Sequence, residues 1–183
     1  QELYFSSRRQ NTTGGEGAGD KVFYSEVYVA KWDAATNQWL DPEHAEGKVN
    51  RDQFDDITHI HTDEDGNQVM YLTLNVTGYT KSSDIAYSKK SKKGTWGKPK
   101  LLPMKSKGGV NTTFVESSAT LTSDGNTMYF VAEGLKGIGQ LDIYMTTKTS
   151  GAWSEPVNLG ANVNTPDDEN TVWVTPDGNT LYF

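Results

Sequence analysis

Three acids stand at one fixed distance ahead of a threonine: Asp56 before Thr62, Glu116 before Thr122 and Glu169 before Thr175, six residues in each case. Gathered around a shared opening, such carboxylates would hold a cation or a basic partner. Set singly in loops, each would accept N–H groups and lock its unit to the next. Paired carboxylates also hydrolyse glycosidic bonds, but an acid that recurs with every unit is more economically a repeated structural bond. Asp56, Glu116 and Glu169 are therefore expected to be partner-binding or unit-locking acids.

His59 and His61 are a second candidate, because residues two apart on a strand share a face and would show one metal two imidazoles. Alignment of the units sets His61 against Leu121 and Val174, and His59 against Ala119 and Val172, so a core or channel-lining role is expected and no metal site. "DEDGN" (63–67) offers alternate acids, yet its glycine comes too early for a calcium loop and no glutamate follows at the needed distance. There is no G-x-S-x-G and no histidine beside a plausible serine, so no triad assembles. "GLKGIGQ" (134–140) precedes a strand, not a helix, which argues against a phosphate loop. With "GGEGAGD" (14–20) it reads as a loop on one face, suited to partner contact. No cofactor is expected.

The formal net charge of −7 makes the average surface repel nucleic acid. Six lysines in "KKSKKGTWGKPK" (89–100) are a local exception that reads as a solvated hairpin. Cysteine is absent, which rules out disulfides and thiolate chemistry. No apolar stretch approaches the roughly 20 residues of a membrane-spanning helix, and "QELYFSSRRQ" has no apolar core of a signal peptide.

The elements that must carry these residues are written as a repeat. "TPDGNTLYF" (175–183) nearly copies "TSDGNTMYF" (122–130), "TDEDGNQVMYL" (62–72) is a longer copy, and "QELYF" opens the chain with the aromatic part alone. A second phrase follows: "SEVYVAKW" (25–32), "SDIAYSKK" (83–90) and "LDIYMTTK" (141–148). Next comes a tryptophan, Trp39, Trp96 or Trp153, spaced by 57 and 57, and then Val49-Asn50, Val110-Asn111 or Val163-Asn164. Equal spacing predicts equivalent sites for the three tryptophans.

Each cycle reads as four short strands. The Asp-Gly pair suits a tight hairpin, because glycine accepts the positive φ such turns demand. A proline in the fourth segment is tolerated only at a sheet edge. Four antiparallel strands in roughly 55 residues suit a β-propeller blade. The fold expected is all-β, with about three blades as an incomplete part of a larger propeller. The divisions are 1–50, an incomplete first blade, then 51–108, 109–164 and the first two strands of another blade at 165–183.

"PDGNTLYF", "DIYMT" and "WSEPVNLGANVNTPDDE" resemble the TolB-like propeller repeats of the WD40-like (PD40-type) group. More narrowly, their order is similar to repeats in Bacteroidetes envelope proteins that combine a propeller with an OmpA-like domain. The first unit departs, with "SEVYVAKW", and the second lacks the turn proline. The resemblance implies a periplasmic, outer-membrane-associated protein related to type IX secretion and gliding, with other envelope proteins as partners and peptidoglycan reached through a domain outside this segment. It also implies that the sequons at Asn11, Asn75 and Asn111 carry no glycan. The function expected is a non-catalytic scaffold that binds protein. The alternatives are a substrate-filtering propeller of a prolyl-oligopeptidase or tricorn-type peptidase, and a carbohydrate-binding propeller.

Overall fold

The computed structural model describes residues 1–9, 23–51, 53, 55–75 and 83–183. The loop at 14–20 and Asn11 lie outside them. Fifteen strands and one 3-10 turn (Lys105–Lys107) make up the described elements. None is a helix long and apolar enough to cross a membrane.

The strands fall into four antiparallel sheets in chain order. The first holds β1 (Glu2–Ser7), β2 (Glu26–Asp33), β3 (Gln38–Trp39) and β4 (Glu43–His44). The second runs β5 (Asp55–Thr62), β6 (Gln68–Asn75), β7 (Ser83–Lys89) and β8 (Lys100–Leu101). The third runs β9 (Glu116–Leu121), β10 (Thr127–Glu133), β11 (Leu141–Thr149), β12 (Ala152–Trp153) and β13 (Val157–Asn158). The fourth is the hairpin of β14 (Trp173–Val174) and β15 (Leu181–Tyr182).

Strand periodicity sends alternate side chains to opposite faces, and in the second and third sheets both faces are buried because each lies between two others. On β6, Met70, Leu72 and Leu74 pack toward the first sheet with Val27, Val49 and Trp96. Val69 and Tyr71 point the other way and join Leu121, Met128, Phe130 and Tyr144 of the third sheet. On β10 the exchange repeats, with Val131 and Tyr129 meeting Ile143, Val172 and Leu181 on the far side. Three cores thus lie between four sheets. Full burial of one such large side chain contributes roughly 1.5–3 kcal/mol.

The hairpin glycines Gly66, Gly125 and Gly178 adopt φ of 79°, 67° and 73°, as the Asp-Gly turns require. The three tryptophans do occupy equivalent sites. Trp39 pairs with Trp32, Trp96 with Lys90 and Trp153 with Lys148. Lys90 and Lys148 each place an ammonium 5.5 and 5.6 Å from the indole they cover. Their burial differs: Trp96 and Trp153 are 2% and 8% exposed, Trp39 43%. The cause is the preceding linker. Gly47 bridges Trp96 and Gly108 accepts the Trp153 N–H, and a Cβ on Gly47 would come within 2.2 Å of the Trp96 carbonyl oxygen.

Candidate functional site

Each linker into an inner strand is closed by one carboxylate and one amide. In the third unit, Glu116 Oε2 accepts the Thr112 N–H at 2.8 Å and Oε1 the Thr112 hydroxyl at 2.5 Å. In the fourth, Glu169 Oε1 accepts both the Thr165 N–H and hydroxyl, at 3.0 and 2.7 Å. In the second unit the acid in this place is Asp55, not Asp56. Asp55 accepts the Arg51 N–H and Nε–H, both at 2.7 Å, while Asp56 sits opposite Thr73 along the strand. Counting back from the turn misplaces the acid because the β5–β6 hairpin carries one more rung, Thr62 against Gln68. Counting forward from the Val-Asn pair finds Asp55, Glu116 and Glu169 alike, each five residues after its asparagine.

Those asparagines are functional residues that sequence reasoning missed, although the Val-Asn pair recurs in plain view. Asn50, Asn111 and Asn164 each clamp the strand that follows the aromatic one in their own sheet (β2, β7 and β11), Oδ1 accepting the N–H of Val27, Ile85 and Ile143 at 2.7, 2.9 and 2.8 Å. Their Nδ2 groups donate to the same three carbonyls. Asn111 is 1% exposed, which by itself closes that sequon to a glycan. A further acid series precedes the clamped residues: Glu26, Asp84 and Asp142, all buried. Asp142 accepts the Ile138 and Gly139 N–H groups of the 134–140 loop, at 2.8 and 3.2 Å. Its signal was the acid at the second position of the repeated phrase.

The inner-strand acids join the sheets through the backbone as well. Asp55 N–H donates to the Ser25 carbonyl and Glu169 N–H to the Leu141 carbonyl, each across a sheet boundary. Between the second and third sheets Glu116 is fully buried, and burial pushes its carboxyl up to about 7, opposed by its Thr112 bonds and reinforced by Asp84 and Glu133. Burial raises Asp55 too, against the pull of Arg51. An acid protonated near neutrality has the poise of a general acid. Both Glu116 oxygens, however, are taken up by Thr112 inside the fold.

The histidines are not at the Ala119 and Leu121 positions. Opposite the strand tyrosines stand His59, Thr120 and Trp173, and the packing residues are Ile60, Leu121 and Val174. Both inner strands carry a bulged residue at the same place, so the longer β5–β6 hairpin is what shifts the count. His59 and His61 turn toward the third sheet, His61 stacking on Tyr71 at 5.7 Å, and both line a cavity of about 780 Å³ between the inner strands. Burial lowers the His59 imidazole to about 4, with His61 adding to it, and lowers His61 as well. A Cβ on Gly125 would lie 2.9 Å from His61 Nε2. Among the described residues no group of three or more His, Cys, Asp or Glu is gathered for a metal. Two of the six hairpin lysines have acidic partners: Lys89 meets Asp63 at 2.8 Å and Lys90 meets Glu2 at 3.3 Å.

On the rim where the inner strands begin, three loops converge. Gly134 lies beneath the Phe114 ring, and Gly139 packs against the carbonyls of Thr165 and Asp167. Phe114 and Ile138 stand out from them, 47% and 44% exposed.

No family model matches this chain, and no curated protein matches it. Among solved structures, a thermostable family-43 glycoside hydrolase is similar over 98% of this chain, with TM-score 0.59 and 16% identity. The fold is that of a β-propeller. The chain spans 59% of that hydrolase chain. This likeness corrects the expectation of a non-catalytic protein. A propeller of this shape serves as the fold of a glycoside hydrolase, so neither the repeat nor the missing triad excludes catalysis.

Proposed function

We propose that this propeller is a protein-binding module, engaging its partner through the rim that carries Phe114 and Ile138. The observation behind this reading is a pair of exposed apolar side chains on loops held stiff from below. Glu116, Asp142 and Glu169 each tie down the loop beside them through backbone N–H groups. Apolar anchors on a preorganised surface lose little entropy on binding, and such anchors supply most of the energy of protein interfaces. The resemblance of the repeats to envelope propellers supports a partner on the periplasmic side of the outer membrane, in secretion or gliding.

Photo-crosslinking in the native cell tests this. A crosslinking side chain at Phe114 or Ile138 is expected to capture an envelope protein, and Phe114→Asp is expected to abolish capture from position 138. Val157, 57% exposed on β13, is the control. Capture at Phe114 and Ile138 no stronger than at Val157 would end the reading.

A further inference from the structure

Positive charge is gathered on one sheet. Eight of the chain's 17 lysines and arginines fall in 89–107, a span without a single Asp or Glu, while 24 acids are spread over the rest. The fold engages three of the eight: Lys89 pairs with Asp63, Lys90 with Glu2 and Lys105 with Glu155 of the third sheet. Lys92, Lys93, Lys98, Lys100 and Lys107 are exposed and make no ion pair among the described residues. Lys48, also exposed, joins them from the first sheet, its N–H donating to the Trp96 carbonyl at 2.8 Å.

The repeat shows that the architecture does not need these charges. Lys100 of the outer strand β8 pairs with Tyr87 in the register that sets Glu43 against Val29 in the first sheet and Val157 against Met145 in the third. Lys98, two residues earlier, stands where those sheets carry Asp41 and Glu155, and Leu101 where they carry His44 and Asn158. Of the three outer strands the second alone is basic. Among its lysines two large apolar side chains are uncovered, Leu101 at 45% and Met104 at 38%. The backbone displays them stiffly: Leu102 N–H donates to the Ile85 carbonyl, and the Met104 carbonyl accepts the Lys107 and Gly109 N–H groups at 2.7 and 3.1 Å.

Charge alone would guard an outer edge against strand pairing, but exposed Leu101 and Met104 work against that purpose. Protein interfaces are poor in lysine and rich in arginine and aromatic rings, and 97–107 has neither of the latter. A nucleic acid would meet no ring to stack on there and would be repelled by the acidic remainder. Lysine ammonium groups around apolar side chains instead match the boundary between anionic headgroups and acyl chains. We propose that the outer edge of the second sheet, at 92–107, docks on an anionic phospholipid surface. Leu101 and Met104 enter the headgroup layer, and Lys92, Lys93, Lys98, Lys100 and Lys107 meet the lipid phosphates.

The chain is expected to sediment with vesicles of equal parts phosphatidylglycerol and phosphatidylcholine, and not with phosphatidylcholine alone. A lysine near an anionic surface is worth about a fivefold change in partition, so Lys98→Glu combined with Lys100→Glu should weaken binding by roughly 30-fold or more. Glutamates already stand at both places in other sheets, as Glu155 and Glu43, and unchanged thermal unfolding checks that the double variant folds. Lys136→Glu, on the loop between β10 and β11, alters net charge as much as Lys98→Glu and should leave partition within about twofold. Because the chain has no cysteine, a polarity-sensitive dye can be placed on Leu101→Cys, where its emission should shift to the blue on the mixed vesicles. The same dye on Val157→Cys should not shift. Absence of binding to the mixed vesicles, equal losses for Lys136→Glu and Lys98→Glu, no shift from position 101, or poly-glutamate bound as tightly as the mixed vesicles would each overturn the proposal.

Discussion

Asn111 grips both ends of one residue: its Oδ1 accepts the Ile85 N–H at 2.9 Å while its Nδ2 donates to the Ile85 carbonyl at 3.0 Å and to Leu102 at 2.9 Å. The pair is buried and is repeated by Asn50 with Val27 and Asn164 with Ile143. This clamp joins the linker leaving each sheet to the middle of that sheet. It sets where the next inner strand starts.

Asn111→Ala would strand the buried Ile85 N–H and take a donor from the Ile85 and Leu102 carbonyls, of which the Ile85 carbonyl keeps the Leu102 N–H. An unsatisfied buried polar group costs about 1–3 kcal/mol, so a loss of about 3 kcal/mol in urea unfolding is expected. Asn111→Asp should be no milder, since a carboxylate accepts but does not donate to the two carbonyls. A loss below about 1 kcal/mol for the alanine variant would show that the clamp does not hold the sheet.

Glu116 makes stability fall as pH rises. Its folded value near 7 lies above the ordinary 4.5, so the folded state binds the proton more tightly than the unfolded chain. Its stabilising protonation is complete below 4.5 and is lost as pH climbs through 7. A tenfold difference in proton affinity is worth about 1.4 kcal/mol, which makes the full effect about 3 kcal/mol. Glu116→Gln keeps both Thr112 contacts and removes the titration. Its stability relative to the parent should improve between pH 5 and pH 8 by chemical denaturation, and parallel profiles would show that Glu116 is not the titrating group.

Equivalent tryptophans should respond unequally. Trp96→Ala empties a site 2% exposed and is expected to cost about 3–5 kcal/mol. Trp39, 43% exposed in a single chain, loses much less on the same change, about 1 kcal/mol. Equal losses at the two positions would mean that Trp39 is covered in solution.

Gly125→Ala carries two penalties, positive φ and a clash with His61, whereas Gly66→Ala has open space and carries only the first. The backbone penalty is about 1 kcal/mol. Thermal unfolding should rank Gly125→Ala as the worse variant, and adding His61→Ala should recover the difference. No recovery would show that His61 does not press on the turn.

The four-strand units, the Asp-Gly hairpins and the equivalence of the three tryptophans were legible in the sequence. The candidate site was legible only in part. Glu116 and Glu169 were found as loop acids, but Asp55 was hidden behind its neighbour Asp56. The extra hairpin rung, Thr62 against Gln68, lengthens the count from turn to acid by one in the second unit alone. A one-residue difference in hairpin length sets every residue counted back from the turn on the opposite face.

The chain alone determined which segments become strands and where they turn, because side-chain alternation and the φ demanded of a glycine are local properties of the backbone. Tertiary structure decided which of two adjacent acids closes a linker, which face the histidines take and why Trp39 stands uncovered. Those outcomes depend on cross-strand register and on the sheet packed alongside, and neither can be counted along the sequence.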